Sequence, residues 1–406
     1  MLLNDVPRIS RQFSQRSVME AIVQGGPISR ASIAKQTGLS KQTISEIVRT
    51  LEQEGWVQET GRTSGHVGRT AVTYELVFNA AYIAAVDLGG AKVRVALTDL
   101  ACQIFAEETA PTDPRGGQFV VDQIVDLALQ AAQRHRISRT KIRLAVIGVP
   151  GAPDKKTGRV LLAPNIAGFG TMNVVRAFEH AFGFHVVIEN DVNLAVLGEN
   201  WQGCGRGIDN LAFIALGTGI GSGLMVGGNL VRGASNAAGE MGFLPIGADP
   251  FAPTSLRAGA FERVVATNAM VERYAALTGN IVNVPTIFHS ALAGDRHAAT
   301  VLDETARYLA QGIVAIAAIA NPQKVVLGGS IGLRPEILLR VRDLLPRCFP
   351  YPIAVEASEL GSRAALIGAA AIGLGQLHNK LFGVDAPDGR ISLPPASSAV
   401  LREATL

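Results

Sequence analysis

Polar groups able to read a nucleic acid cluster near one end of the chain. Lys41, Gln42, Thr43, Ser45, Glu46 and Arg49 fall close together just after Ser40, and such short or flexible donors and acceptors suit base edges and phosphates. Arg62, His66 and Arg69 follow in the run GRTSGHVGRT, where they can contact phosphates or the minor groove. Further along, three glycine-rich runs, DLGGAK (87–92), GTGIGSG (217–223) and LGGS (327–330), offer backbone without Cβ atoms, which can approach phosphate closely. Between the first two stands Asp191, directly after VVIEN (186–190). An ionised carboxylate there accepts hydrogen bonds and can take a proton from an attacking hydroxyl, and the same residue also suits a plain helix N-cap.

The elements that must position the first cluster are legible. Residues 10–24 read as a helix with an apolar stripe of Val18, Met19, Ile22 and Val23, stopped by Gly25-Gly26-Pro27. Ser29 caps a short second helix through Gln36, and Gly38 sits where a tight turn falls. Ser40 caps a third helix, 41–54, in which Ile44, Ile47, Val48 and Leu51 recur at helical spacing and leave the polar cluster on the opposite face. Two strand-like runs, Trp56–Thr60 and Thr73–Val77, flank the basic loop. The pattern predicts a winged helix-turn-helix whose third helix enters the major groove; a small three-helix protein-interaction module is the alternative.

Charge sharpens the first reading. Of the 406 residues, 1–45 carry six basic and two acidic groups, a local net of +4, so the other 361 sum to −1 within a total of +3. A basic end on a near-neutral body is the footprint of a DNA-binding head and excludes a histone-like or disordered chain. Cys102, Cys204 and Cys348 fit no disulfide framework, the opening MLLNDVPRISRQ lacks an apolar signal core, and the longest apolar run, Ile313–Ala320, falls far short of the roughly 20 residues that span a bilayer. The expectation is a cytoplasmic protein with no membrane partner.

From Tyr82 the composition turns to Ala, Val, Ile, Leu and Gly in alternating apolar and helical stretches, as in an α/β body. YIAAVDLGGAKVRVALTDL (82–100) and NLAFIALGTGIGSGLMVGGNLVRG (210–233) echo each other: strand, glycine turn, strand. GTGIGSG is no dinucleotide fingerprint, because LMVGG continues as strand where that fingerprint must open a helix.

Here a resemblance becomes specific. The echo resembles the actin/hexokinase-type ATPase fold, and DLGGAK (87–92), GVPG (148–151), PN (164–165), ENDVN (189–193), GTGIGSG (217–223), AGEMG (238–242), Glu262 and LGGS (327–330) match the ROK family in order across residues 82–375. The resemblance implies a winged helix-turn-helix over 1–80, a first lobe over 81–193 completed by about 370–384, a second lobe over 194–369, and a tail over 385–406. It also implies a sugar-binding set of Asn165, Asn190, Asp191, Glu240 and Glu262, with Asp191 catalytic only in a kinase. Asp87, Gly89, Gly90, Gly217, Thr218, Gly219, Gly328 and Gly329 correspond to nucleotide loops, with Ala91 where the family has threonine. For Glu262 an ordinary helix-surface acid is the competing reading.

The family's zinc site is missing from the sequence. Its histidine position is Phe243, its cysteine positions are Pro253, Ser255 and Ala260, and one glycine is Leu256; none of these is a normal zinc ligand. No zinc is expected, with packing of Phe243, Phe251, Leu256 and Phe261 in its place. No histidine, His66 included, shows metal spacing. Family members with such a head resemble sugar-responsive repressors. The expectation is a regulator of carbohydrate genes, with operator DNA and a monosaccharide or sugar phosphate as partners, acting as a homodimer or homotetramer with no required cofactor. An ATP- and Mg-dependent hexose kinase retaining the head is the alternative, and a constitutive dimerisation platform the third reading.

Overall fold

A computed structural model describes residues 6–63, 71–162 and 166–382, with side chains over 13–61, 71–162 and 166–377. The chain opens with α1 (Val6–Gly25), β1 (Ile28–Ser29), α2 (Arg30–Thr37), α3 (Lys41–Gln53), β2 (Val57–Thr63) and β3 (Ala71–Leu76). Side-chain caps set the helix starts: Ser29 accepts from the Ser32 N–H at 3.2 Å and Ser40 from the Thr43 N–H at 3.1 Å. Gly38 ends α2 in the left-handed region at φ 71°, where a Cβ would be strained. The helices bury Val18, Met19, Ile22, Ile33, Ile44, Val48 and Leu51.

The head differs from the sequence reading in two places. Helix α1 starts at Val6, ahead of the expected residue 10. The wing is a three-stranded sheet of order β1-β3-β2, because Ile28 and Ser29 pair with Tyr74 and Thr73; two residues are too few to display a strand's period in sequence.

The remainder runs β4 (Tyr82–Leu88), β5 (Lys92–Thr98), β6 (Ile104–Pro111), α4 (Gly117–Arg134), β7 (Ile142–Val149), β8 (Ala152–Pro153), β9 (Val160–Leu161), α5 (Val174–Phe182) and β10 (Val186–Asn190). It continues with α6 (Asp191–Trp201), β11 (Leu211–Leu216), β12 (Ile220–Val226), β13 (Asn229–Leu230), α7 (Pro253–Ala258), α8 (Glu262–Val265), α9 (Thr267–Thr278) and α10 (Val284–Leu292). The last elements are α11 (Arg296–Ala320), β14 (Lys324–Gly328), α12 (Gly329–Gly332), α13 (Pro335–Cys348), β15 (Ala354–Ala357) and α14 (Ala364–Phe382). The described residues divide into two compact units: one takes those up to Ile147, Val174–Ile188 and 369–382, the other those of Gly148–Asn173 and Glu189–Gly368.

The internal echo extends to topology. One sheet has the order β10-β7-β4-β5-β6 and the other β13-β12-β11-β14-β15. In each, the third, second, first, fourth and fifth strands lie side by side in that order, with an antiparallel hairpin formed by the first two. β4 is buried almost throughout, with Asp87 the half-buried exception at its end. In the second unit α11 presents Val301, Leu302, Leu309 and Ile313 to a core shared with Ile214, Leu216, Val325 and Leu327; full burial of each such side chain is worth about 1.5–3 kcal/mol. Among the described residues no helix is long and apolar enough to cross a membrane.

Candidate functional site

In the head, α3 buries Ile44, Ile47, Val48 and Leu51 and leaves Lys41, Gln42, Glu46 and Arg49 exposed, with Thr43 and Ser45 at the margin. Gln42 Nε2 donates to Glu46 Oε1 at 3.2 Å, so the exposed face carries a pre-set amide and two unburied cations. Arg62 lies on β2 opposite Val72, with its side chain outside the described residues. Arg69, His66 and Asn165 lie outside them altogether.

At the ENDVN corner the chain passes from β10 into α6. The N-cap is Asn190, not Asp191 as the plain sequence reading allowed: Asn190 Oδ1 accepts from the N–H groups of Val192 and Asn193, both at 3.0 Å. Asn190 has extended backbone and so can turn its amide back over the first turn, whereas Asp191 is already helical. Asn190 Nδ2 also donates to the Gly151 carbonyl at 2.9 Å. Asp191 is half-buried at the first helical position, and its Oδ1 accepts from the Val192 N–H at 2.9 Å.

Sequence reasoning missed the residue that braces this corner. Glu189 is 5% exposed. Its Oε1 accepts from the Asn190 N–H at 3.0 Å and from Asn193 Nδ2 at 3.1 Å, while Oε2 takes Arg232 Nε at 2.8 Å. A lone acid closing an apolar strand was the available signal, and nothing in the sequence pointed to its cation 43 residues away.

Glu240 and Glu262 are brought together by the turn Met241–Phe243 and the start of α8. Glu262 is not a solvated helix acid: its Oε2 accepts from the Ile220 N–H at 3.0 Å, and a Cβ on Gly219 would stand 2.6 Å from that oxygen. Burial raises both carboxyls above their ordinary value of 4.5; the Glu262 charge raises Glu240 further, and the Ile220 N–H partly offsets the rise at Glu262. Two half-buried carboxyl groups beside a glycine turn offer acceptors when ionised and a donor when one is protonated, which suits hydroxyl groups that both donate and accept.

The second glycine turn is fastened from below. Gly217 N–H donates to the Gly219 carbonyl at 2.9 Å, and the Gly217 carbonyl accepts from the Thr267 N–H at 3.0 Å and hydroxyl at 2.9 Å. Thr218 stays exposed. The parallel register of Ala215 with Gly328 puts Gly328 and Gly329 at the same end of the sheet. In the first unit, Asp87 pairs across the hairpin with Arg94 at 3.9 Å. Burial raises the Asp87 pKa, while Arg94 and Lys92 lower it. Gly89 N–H closes that hairpin onto the Lys92 carbonyl at 2.9 Å, Gly90 and Ala91 are exposed, and Thr112 braces the loop through its hydroxyl to the Gly89 carbonyl at 2.7 Å and its N–H to the Ala91 carbonyl at 3.1 Å.

The expected apolar replacement of the zinc site requires correction. Phe261 is fully buried, but Phe243, Phe251 and Leu256 are 40%, 88% and 69% exposed. The segment is held by polar groups: Arg263 Nη1 donates to Ser255 Oγ at 2.9 Å, and the Phe261 N–H to the Gly242 carbonyl at 2.9 Å. A buried hydroxyl with a cationic donor anchors the loop locally, so its apolar side chains need not turn inward.

A winged helix-turn-helix head joined to a kinase-like α/β body of two similar sheets defines the class of protein. The chain matches the ROK family over residues 83–375 and a winged helix-turn-helix DNA-binding family over 14–58, and it belongs to the ROK family. It is 27% identical to the xylose repressor of Bacillus subtilis over 373 residues, spanning 89% of this chain and 95% of that protein. A glucokinase of Halalkalibacterium halodurans is 29% identical over 304 residues, spanning 70% of this chain and 92% of its own. A solved ROK family transcriptional regulator, a homolog of the E. coli MLC protein, shares the fold at TM-score 0.74 with 23% identity, covering 92% of this chain and 98% of its own.

Proposed function

We propose that the chain is a sugar-responsive transcriptional regulator that represses carbohydrate-utilisation genes from the cytoplasm. The observation that carries this reading is the head: the named repressor aligns over 89% of the chain, the glucokinase over only 70%, and α3 keeps its buried stripe and exposed polar face. Ser40, Lys41, Gln42, Thr43, Ser45 and Arg49, with Arg62 and Arg69 from the wing, contact operator DNA. A monosaccharide or sugar phosphate binds through Asp191, Glu240 and Glu262, with Asn190 shaping the corner and Asn165 adding a contact. The ligand acts by binding one state of the protein more tightly than another. A two-fold dimer, alone or within a tetramer, reads half-sites about one helical turn or a multiple apart. No cofactor and no zinc are needed for this role.

The kinase reading keeps one observation in its favour: a half-buried aspartate at the start of α6, with glycine turns that would hold ATP phosphates. One titration separates the two. Operator shift is followed against a panel of monosaccharides and their phosphates, with ATP turnover measured in the same samples. A sugar-dependent change in operator affinity without turnover supports the regulator. Turnover abolished by Asp191→Asn supports the kinase, and operator binding indifferent to every sugar sinks the sensing role.

A further inference from the structure

A cavity of about 650 Å³ lies in the first unit beside Trp56, the residue that leads from α3 into the wing. Phe182, Phe184 and Leu377 give it an apolar wall, and the Phe182 and Phe184 rings lie 5.1 Å apart between centroids. Arg139 and Arg143, both exposed, also line it. They belong to the run RHRISRTKIR (134–143), which concentrates five Arg or Lys residues in an otherwise near-neutral body. Two others of the five are committed: Arg134 pairs with Glu108, and Lys141 Nζ donates to the Asn79 carbonyl at 2.9 Å. Among the described residues Arg139 donates only to the Phe182 carbonyl, at 3.3 Å, and neither it nor Arg143 meets a carboxylate.

DNA is a poor match for this pair. Trp56 follows the C-terminal end of α3, whereas Lys41–Ser45 lie about 12–18 Å before the last residue of that helix at 1.5 Å per residue. An aromatic, apolar cavity of this volume with a few charged groups has the make-up of a small-ligand site. Planar guanidinium forks match a carboxylate in bidentate fashion, and aromatic walls take a flat apolar body. Among the described residues no lysine lines the cavity to hold the third oxygen of a phosphate. We propose that this cavity binds a small aromatic carboxylate, at a site separate from the proposed sugar site and independent of it.

The test uses the full-length protein labelled with 5-fluorotryptophan. Trp56 and Trp201 are its two tryptophans, so Trp56→Phe assigns the two fluorine resonances and Trp201 reports on folding. Titration with 2-naphthoate should shift the Trp56 resonance saturably and leave Trp201 in place. The neutral 2-naphthylmethanol should bind at least tenfold more weakly. Arg139→Ala with Arg143→Ala should weaken naphthoate at least tenfold with Trp201 unchanged, whereas Arg136→Ala, in the same run but outside the cavity, should not. An unmoved Trp56 resonance, equal affinity for acid and alcohol, indifference to the double variant, or tighter binding of phenyl phosphate would each overturn the proposal.

Discussion

At the scale of single residues, the ENDVN corner shows how one side chain differs in role from its neighbour. Asn190 uses both ends of its amide on backbone, Glu189 braces it from a buried position, and Asp191 keeps a carboxylate at the start of the helix. Glu189→Ala leaves the part-exposed Arg232 and the buried Asn193 amide without their acceptor, and leaving such a donor unsatisfied costs about 1–3 kcal/mol. Urea unfolding should record a loss of that order, with Glu189→Gln losing less because one acceptor oxygen remains. Glu240 and Glu262 predict a pH dependence. A carboxyl whose folded pKa is raised binds a proton in the folded state at pH values where the unfolded chain has released it. Stability therefore falls as pH rises from 4.5 through the raised folded value. Melting curves across that window should show a shallower fall in Glu240→Gln than in the parent, and an unchanged slope would contradict the shared burial of the two acids.

At the scale of elements, the head rests on its caps. Ser40→Ala removes the acceptor for the Thr43 N–H and should cost about 1 kcal/mol of head stability, read as a lower melting transition of the wing and helices. Arg49→Ala, on the exposed face of α3, should weaken operator binding and reduce the slope of log K against log salt by about 1 if it meets a phosphate. An unchanged slope assigns Arg49 to base reading or to no DNA contact. Much of this head was legible because caps, a left-handed glycine and an apolar stripe are local signals: Ser29, Gly38, Ser40 and the Ile44–Leu51 face all stand where the sequence put them. The third wing strand was not, because Ile28 and Ser29 become a strand only by pairing with residues 46 and 44 positions away.

At the scale of the molecule, the two sheets share one strand order although their helices and loops have diverged. The regulator reading makes a thermodynamic demand on the whole chain. If a sugar changes operator affinity by some factor, operator must change sugar affinity by the same factor. Calorimetric titration of the effective sugar with and without operator should return matching ratios, and a mismatch would show that sugar and DNA are not coupled through one equilibrium.

The sequence by itself determined the head, the α/β body with its internal echo and the family, since these depend on periodicity, local capping and residue identity. Tertiary structure decided that Asn190 caps α6, that Glu189 reaches Arg232, and that Glu262 bonds to the Ile220 turn. It also decided that Phe243, Phe251 and Leu256 face outward around a loop held by Arg263 and Ser255. The +3 of the whole chain likewise conceals two basic groupings, one in the head and one beside the Trp56 cavity. Burial and long-range hydrogen bonds are properties of packed neighbours, and a linear pattern carries no record of which distant residue will supply them.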